Sequence, residues 1–405
     1  MSNNHHPKNL LFITWDSDST NYLESLFLPI LEELQAKARL KCHVLQFSWA
    51  KEEKVNQLSL LSESMGIRYN HFPVSKAIHP LMGTAFTVYR GKQFIRRYLK
   101  RHKIDIVMPR STMPALMVNG LMSKWKNKKY KVVFDADGLP LEERLDFTEL
   151  KVSDYQYKFL KAAETKMLLN ADIILARTQK AINHHLGRIG ESHRSKFHVV
   201  RNGRRAEQFR FSNEDRIRVR EELGLSENDM LWVYAGTLGP QYVLKEMLEM
   251  FDKHLHLSQS SKFLVLSANG NYLQQHLPAH LRDKVVHKTP SFASIPSYLS
   301  AADIAFALRQ PAWSMRGVSP IKLGEYLLMG LPVIASKGVG DTENILLGKP
   351  FVNLYEHNDP QRREKAVSWA NGLAKIERTA IREFALQHFT LEKCVEDYLT
   401  AFGEV

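Results

Sequence analysis

The strongest constraint on the fold is a recurring set of short, apolar, β-branched segments. LLFITW (10–15), IDIVMP (104–109), KVVFDAD (131–137), ADIILA (171–176), LWVYAG (231–236), KFLVLS (262–267), DIAFAL (303–308) and LPVIAS (331–336) are too short for core helices and lack the in-out alternation of a half-exposed sheet. Segments of helical periodicity separate them, such as YLESLFLPILEELQAKA (22–38). Strands of this kind belong in parallel sheets covered by helices on both faces. A chain of 405 residues is also too long for one ordinary core. The expectation is α/β: two parallel-sheet domains, residues 1–192 and 193–372, followed by a helical segment over 373–405.

Composition narrows function by exclusion. No apolar run approaches the roughly 20 residues that span a bilayer, and no charged-then-apolar leader opens the sequence. Cys42 and Cys394 are far apart in sequence, which points away from a disulfide framework and towards a reducing, cytosolic setting. A net charge of +13 calls for an anionic partner: nucleic acid, anionic lipid or a nucleotide donor. Zinc-finger spacing, an RNP-like aromatic motif and a helix-turn-helix signature are all missing, so nucleic acid is the least supported of the three.

GVSPIKLGEYLLMGLPVIASKGVGDTE (317–343) carries the clearest chemistry. Ser319 suits an N-cap and Pro320 the first helical position, so a helix starting here turns its unpaired N–H groups towards an anion. Lys322 and Glu325 are three apart and share a face of its first turn. The lysine suits a phosphate, and the carboxylate suits a pair of sugar hydroxyls. The competing reading is a surface helix with an incidental Lys322–Glu325 ion pair. Gly330 closes the helix, LPVIAS follows as a buried strand, Gly338 and Gly340 give a permissive loop, and Asp341 stands where the next helix needs a cap.

The pattern Ser-Pro-x-Lys-x-x-Glu-Tyr-x-x-x-Gly-x-Pro-Val-Ile-Ala resembles the nucleotide-binding segment of bacterial retaining, family-4-like glycosyltransferases. Their architecture is GT-B, two Rossmann-like domains facing a central cleft, which implies that 373–405 is a terminal helix crossing back to the first domain. The resemblance implies that Glu325 binds the nucleotide ribose, that Gly236, Thr237 and Gly239 approach the donor, and that Asn269 and the segment around Ser291 and Phe292 grip the nucleobase. In the looser first domain, FDADGLPLEER (134–144) looks like an Asp-x-x-Gly-x-x-x-Glu-Glu segment of some members, and PRST (109–112) like their strand-end Arg-Ser. FHVVRNG (197–203) is similar to the family's Pro-Asn-Gly segment, with Arg201 in the place of the proline. There are two departures. Thr237, Leu238, Pro240 and Gln241 occupy the loop where an Arg and a Lys usually hold the donor diphosphate, and Gly317 stands where a Glu contacting the donor sugar is common. Arg309, Arg316 and Lys322 are the candidate replacement cations, Lys322 and Arg316 serving the leaving group together with amides near Ser319.

In a parallel sheet the strand ends aim Asp16, Arg110, Ser111, Asp135 and Asp137 at the crevice where ligands bind. Asp16, Arg110, Ser111 and Glu142, with Gly317 and Val318, are candidates for acceptor or sugar contacts. Asp137 is a candidate catalytic carboxylate that stabilises positive charge at the anomeric carbon. Helix capping is the alternative for Asp16, Asp137 and Glu142. Asp135-Ala136-Asp137 spells a DxD, read as strand-end geometry, and no metal is expected.

Between His79 and Lys103, Phe86, Tyr89, Phe94 and Tyr98 interleave with Arg90, Lys92, Arg96, Arg97, Lys100 and Arg101. Two readings stay open: a segment in the headgroup region of an anionic membrane, or an amphipathic helix that packs its aromatics inward. A second basic run, KWKNKKYK, occupies 124–131.

The expected function is transfer of a sugar from a nucleotide-activated donor to a hydroxyl of a glycan or lipid-linked acceptor in bacterial surface polysaccharide or glycoconjugate synthesis. Retention follows from the resemblance. No cofactor beyond the nucleotide-sugar and no nucleic acid is expected, and the setting is cytoplasmic, free or peripheral on the inner face of the cytoplasmic membrane. The alternatives are a transferase using a CMP-activated acidic sugar, a nucleotide-sugar epimerase and a non-catalytic scaffold.

Overall fold

The computed structural model describes residues 7–17, 21–75, 80–123, 130–373 and 376–403. The chain divides into two compact units, one running to Arg201 and resuming at Cys394, the other Asn202–Lys393. Most of the basic run at 124–131 lies outside the described residues.

In the first unit β1 (Lys8–Asp16), β2 (Leu40–Ser48), β3 (Arg68–Pro73), β4 (Ile106–Pro109), β5 (Lys131–Asp137), β6 (Ile173–Ala176) and β7 (Phe197–Val199) form one sheet in the order β3-β2-β1-β4-β5-β6-β7. In the second, β8 (Leu231–Ala235), β9 (Lys262–Leu266), β10 (Val285–Lys288), β11 (Ile304–Ala307), β12 (Val333–Ser336) and β13 (Val352–Tyr355) take the order β10-β9-β8-β11-β12-β13. Every pairing is parallel. The apolar runs account for this: β4, β6, β8 and β12 are buried along their whole length, so helices must cover both faces. Each order reverses once, between β1 and β4 and between β8 and β11. Ligands of open α/β sheets bind outside the carboxyl ends of strands at such a switch point. Asp16 ends β1 and Arg110 follows β4 at the first; Gly236 follows β8 and Arg309 lies just beyond β11 at the second.

Because β7 pairs with β6, the first unit reaches beyond residue 192 to Arg201. The terminal helix expected over 373–405 is two helices among the described residues. Arg378–Leu386 packs on the helix Ile321–Leu328 inside the second unit, and the change of unit falls within Leu391–Phe402. The break between them has a backbone cause. Arg204 N–H donates to Phe389 O (3.0 Å) and Leu391 N–H donates to Arg204 O (2.8 Å), a bridge that takes these groups out of any helical ladder.

Candidate functional site

The helix Ile321–Leu328 buries Leu323, Tyr326 and Leu327 in the second unit's core. It begins one residue later than the sequence suggested: Pro320, at ψ 106°, is the N-cap, and the cap makes no side-chain bond. Ser319 is held ahead of the helix, its carbonyl accepting from Asn202 Nδ2 at 2.8 Å. Asp341 occupies the N-cap of Thr342–Leu346 but its side chain makes no capping hydrogen bond. Tyr326 fixes the helix against the end of β8, its hydroxyl receiving Ala235 N–H at 2.8 Å.

That attachment carries Lys322 across the loop that follows β8. A methyl group added to Gly236 would lie 1.3 Å from Lys322 Nζ, and Gly236 has φ 151°, so only glycine accommodates both the backbone and the lysine. Nζ stands 5.1 Å from the ring centroids of Tyr234 and Tyr242. On Tyr242 the Arg309 guanidinium also rests, 4.5 Å from the centroid. Among the described residues no carboxylate lies within ion-pair distance of Nζ. Burial drives the Lys322 pKa down to about 7, Arg309 pushes the same way, and Glu325 opposes. Two cations thus share one aromatic wall at the switch point without an acidic partner, an arrangement that favours an incoming polyanion. The Arg309 backbone is itself held, its N–H donating to Ser336 Oγ (2.8 Å), which also bonds His357 Nε2 (2.9 Å).

Glu325 has a different partner. Its Oε1 accepts from Arg204 Nε at 2.7 Å, and both side chains are buried. The incidental Lys322–Glu325 pair is therefore not formed. The Arg204 guanidinium lies 4.9 Å from the Phe292 ring centroid, which joins Glu325 to the segment expected at the nucleobase. Gly203 makes this possible, since a Cβ there would sit 2.1 Å from Thr390 O. Arg204 was not singled out in the sequence; the only signal was its place beside Asn202-Gly203.

The remaining candidates of this unit gather at the same sheet edge. Thr237 O accepts from Tyr234 Oη (2.6 Å), Asn269 caps its helix by accepting from Tyr272 N–H (3.2 Å), and Asn269 Nδ2 approaches Leu238 O at 3.4 Å. Ser291 Oγ bonds Ser294 Oγ at 2.8 Å. Gly239 leaves open space where a Cβ would stand. Gly317 is buried and Val318 half-buried, whereas Arg316 is exposed with its guanidinium 3.7 Å from the Trp313 ring. The cation facing Lys322 is Arg309.

In the first unit the strand ends form a dense ionic cluster. Asp135, fully buried, takes both oxygens to Arg177 Nη2 (2.9 and 2.7 Å). Asp137 Oδ2 accepts from Arg110 Nη2 at 2.5 Å, and Arg177 Nε lies 3.4 Å from its Oδ1. Burial raises the Asp137 pKa, but the two guanidiniums outweigh it and hold the carboxyl below its usual range. A register shift in β5 falls between Asp135 and Asp137, and Asp137 and Ser111 adopt φ of 61° and 63°. Such left-handed strain in non-glycine residues persists only where surroundings over-determine it, typically at functional sites. Here Ser111 N–H donates to Asp135 O (2.8 Å) and Arg177 N–H to Asp137 O (3.1 Å).

Two capping alternatives are overturned. Asp16 ends β1 buried, accepting from Thr14 Oγ1 and Gln46 Nε2 (both 2.9 Å), with Arg110 Nη1 at 3.8 Å. Glu142 is buried against Lys161 Nζ (2.8 Å) and His184 Nε2 (3.4 Å), tying three helices together. Burial opposes its ionisation, yet His184 and Lys161 lower its pKa to about 2. Arg177 was missed in the sequence although it ends β6 in the way that Arg110 ends β4.

The sequence matches no family model and no curated protein. Solved structures do match over the whole chain. The Anabaena protein HepE in complex with UDP-glucose shares 16% identity, with 98% of this chain and 100% of that one covered and a TM-score of 0.71. A glycosyltransferase from Rickettsia africae shares 15%, with 99% of each chain covered and a TM-score of 0.72. The lipopolysaccharide outer core galactosyltransferase WaaB, in its apo form, shares 14%, with 98% of this chain and 100% of that one covered and a TM-score of 0.63. The fold is GT-B. At these identities the likeness establishes the GT-B architecture, and the chemistry rests on the residues described above.

Proposed function

We propose that the protein is a glycosyltransferase whose second unit binds a nucleoside-diphosphate sugar and which transfers the sugar to a hydroxyl of a glycan or lipid-linked acceptor. The observation that carries this reading is Lys322 Nζ over Gly236 with Arg309 across Tyr242, at the carboxyl end of the β8–β11 switch point. Two cations balance a diphosphate better than the single phosphate of a CMP-sugar. Glu325 Oε1 is occupied by Arg204, which leaves Oε2 to accept from ribose hydroxyls. As the glycosidic bond breaks, negative charge grows on the departing diphosphate, and Lys322 and Arg309 lower its energy in place. We assign retention to the reaction, the departing phosphate oxygen taking the acceptor's proton. The first unit offers the ionised Asp137 and the Arg110 guanidinium to an acceptor. HepE with UDP-glucose and WaaB, both of this fold, lend support to a nucleotide-sugar donor and to bacterial surface glycan assembly.

The test is thermal unfolding with UDP, GDP, ADP, TDP and CMP at equal concentration. One diphosphate at about a hundred times its dissociation constant is expected to add about 2.7 kcal/mol. A shift with CMP alone would favour the monophosphate donor, and product formed from donor without acceptor an epimerase. No shift with any nucleotide, in a chain that also shows no turnover, points to a scaffold.

Affinity should also depend on pH with a definite sign. The free Lys322 ammonium loses its proton as pH rises through about 7. A bound phosphate favours the charged form, so binding takes up a proton above that pH and affinity falls, by at most about tenfold per unit. Calorimetry in buffers of different ionisation enthalpy reads the uptake. Lys322→Arg, charged throughout, should abolish the fall; an unchanged profile would remove Lys322 from the phosphate site.

A further inference from the structure

The helix Pro80–Arg101 resolves both readings of its aromatic residues at once. Tyr98 packs inward, its hydroxyl 2.9 Å from His43 Nδ1, and Phe94 lies against Phe72. Phe86 and Tyr89 do not pack inward: they are 53% and 60% exposed, and Met82 is 69% exposed. At 3.6 residues per turn, Met82, Phe86, Tyr89, Gln93, Arg96, Arg97 and Lys100 fall on one outward arc about 100° wide. The arc is apolar along its first half and basic along its second. Arg90 lays its guanidinium 5.6 Å from the Phe86 ring, and the helix contains no Asp or Glu.

A second apolar patch lies at the same end of the unit. Helices Pro80–Arg101 and Tyr155–Asn170 both pack on Thr112–Met122, and both feed the amino ends of parallel strands, β4 and β6. Their N-terminal halves therefore point to the carboxyl end of the sheet. There Val152, Tyr155 and Phe159 are exposed, the two rings stacked 6.3 Å apart, with Lys158 beside them. The exposed acids Asp146 and Glu149 precede this helix, so it supplies apolar area and the Pro80–Arg101 helix supplies the charge. Six large apolar side chains left in water at one end of a unit need an occupant.

We propose that this face docks on an anionic lipid surface, Met82, Phe86 and Tyr89 entering the headgroup–acyl boundary while Arg90, Arg96, Arg97 and Lys100 meet lipid phosphates. Charge alone would suit any polyanion, but a solvent-facing Met and Phe on the same arc gain free energy from an apolar phase, which a soluble polyanion such as nucleic acid does not offer. The proposal is independent of the donor assignment, because it is read without nucleotide or turnover.

The test is cosedimentation of the full chain with vesicles of phosphatidylcholine alone and of phosphatidylcholine mixed with phosphatidylglycerol. The chain is expected on the mixed vesicles, little on the neutral ones, and less as salt rises. Phe86→Ser with Tyr89→Ser should weaken binding about tenfold or more, and Arg96→Glu with Arg97→Glu at least about twentyfold. All four positions are solvent-exposed, and unchanged melting curves verify that the variants fold. Failure to prefer the anionic vesicles overturns the proposal. So does loss on arginine reversal with no effect of the aromatic changes, which would mark a general polyanion surface such as one for nucleic acid.

Discussion

Glu325→Ala is expected to cost about 3–5 kcal/mol of folding stability, because it removes the buried carboxylate to which the buried Arg204 guanidinium donates. Denaturant titration reads this as a lower midpoint. The double variant Arg204→Met/Glu325→Leu should recover most of the loss, since removing both charges also removes the desolvation penalty. Nucleotide affinity should not recover with it. Loss of a charged acceptor for the ribose amounts to about 1.5–3 kcal/mol of binding, in the single and the double variant alike. Full affinity in the refolded double variant would take Glu325 out of the nucleotide site while leaving its structural role intact.

Arg177→Met should be as damaging to the first unit. Asp135 is fully buried with both oxygens on Arg177, and the same guanidinium reaches Asp137. Removing it leaves a buried carboxylate unpaired, at a cost of about 3–5 kcal/mol, measurable by denaturation. Asp137→Asn is the informative contrast. Asp137 is partly exposed and keeps its backbone bonds, so losing its charge beside Arg110 should cost clearly less stability than Arg177→Met while turnover falls. Undiminished turnover would remove the catalytic role given to Asp137, and an Arg177→Met protein of ordinary stability would show that the cluster is not tightly coupled.

The two cases mark how far the sequence could be read. The strands and the first turn carrying Lys322 and Glu325 were legible because they depend on local pattern: buried runs have no alternation, and residues three apart share a helical face. Which of Phe86, Tyr89, Phe94 and Tyr98 face the core was not legible, because either arrangement fits the same composition; the packing of one side of the helix on its neighbours buries Tyr98 and leaves Phe86 and Tyr89 in solvent. Capping was the wrong alternative for Asp16 and Glu142 for a related reason. An acid near a helix start looks like a cap until distant Gln46, Lys161 or His184 is seen to hold it.

The sequence by itself determined the class of fold, two parallel-sheet units, and the turn on which the phosphate and ribose candidates stand. Which partner each side chain meets was decided only by the tertiary structure. Lys322 and Glu325 share a turn, yet one lies over Gly236 and the other on Arg204, and Asp135 finds Arg177. Those pairings depend on the order in which the strands are laid into each sheet and on where helix packing turns each side chain. Local periodicity carries no information about residues 42 or 121 positions away. In a low-dielectric interior such long-range charge pairing sets which groups remain ionised and free for a ligand.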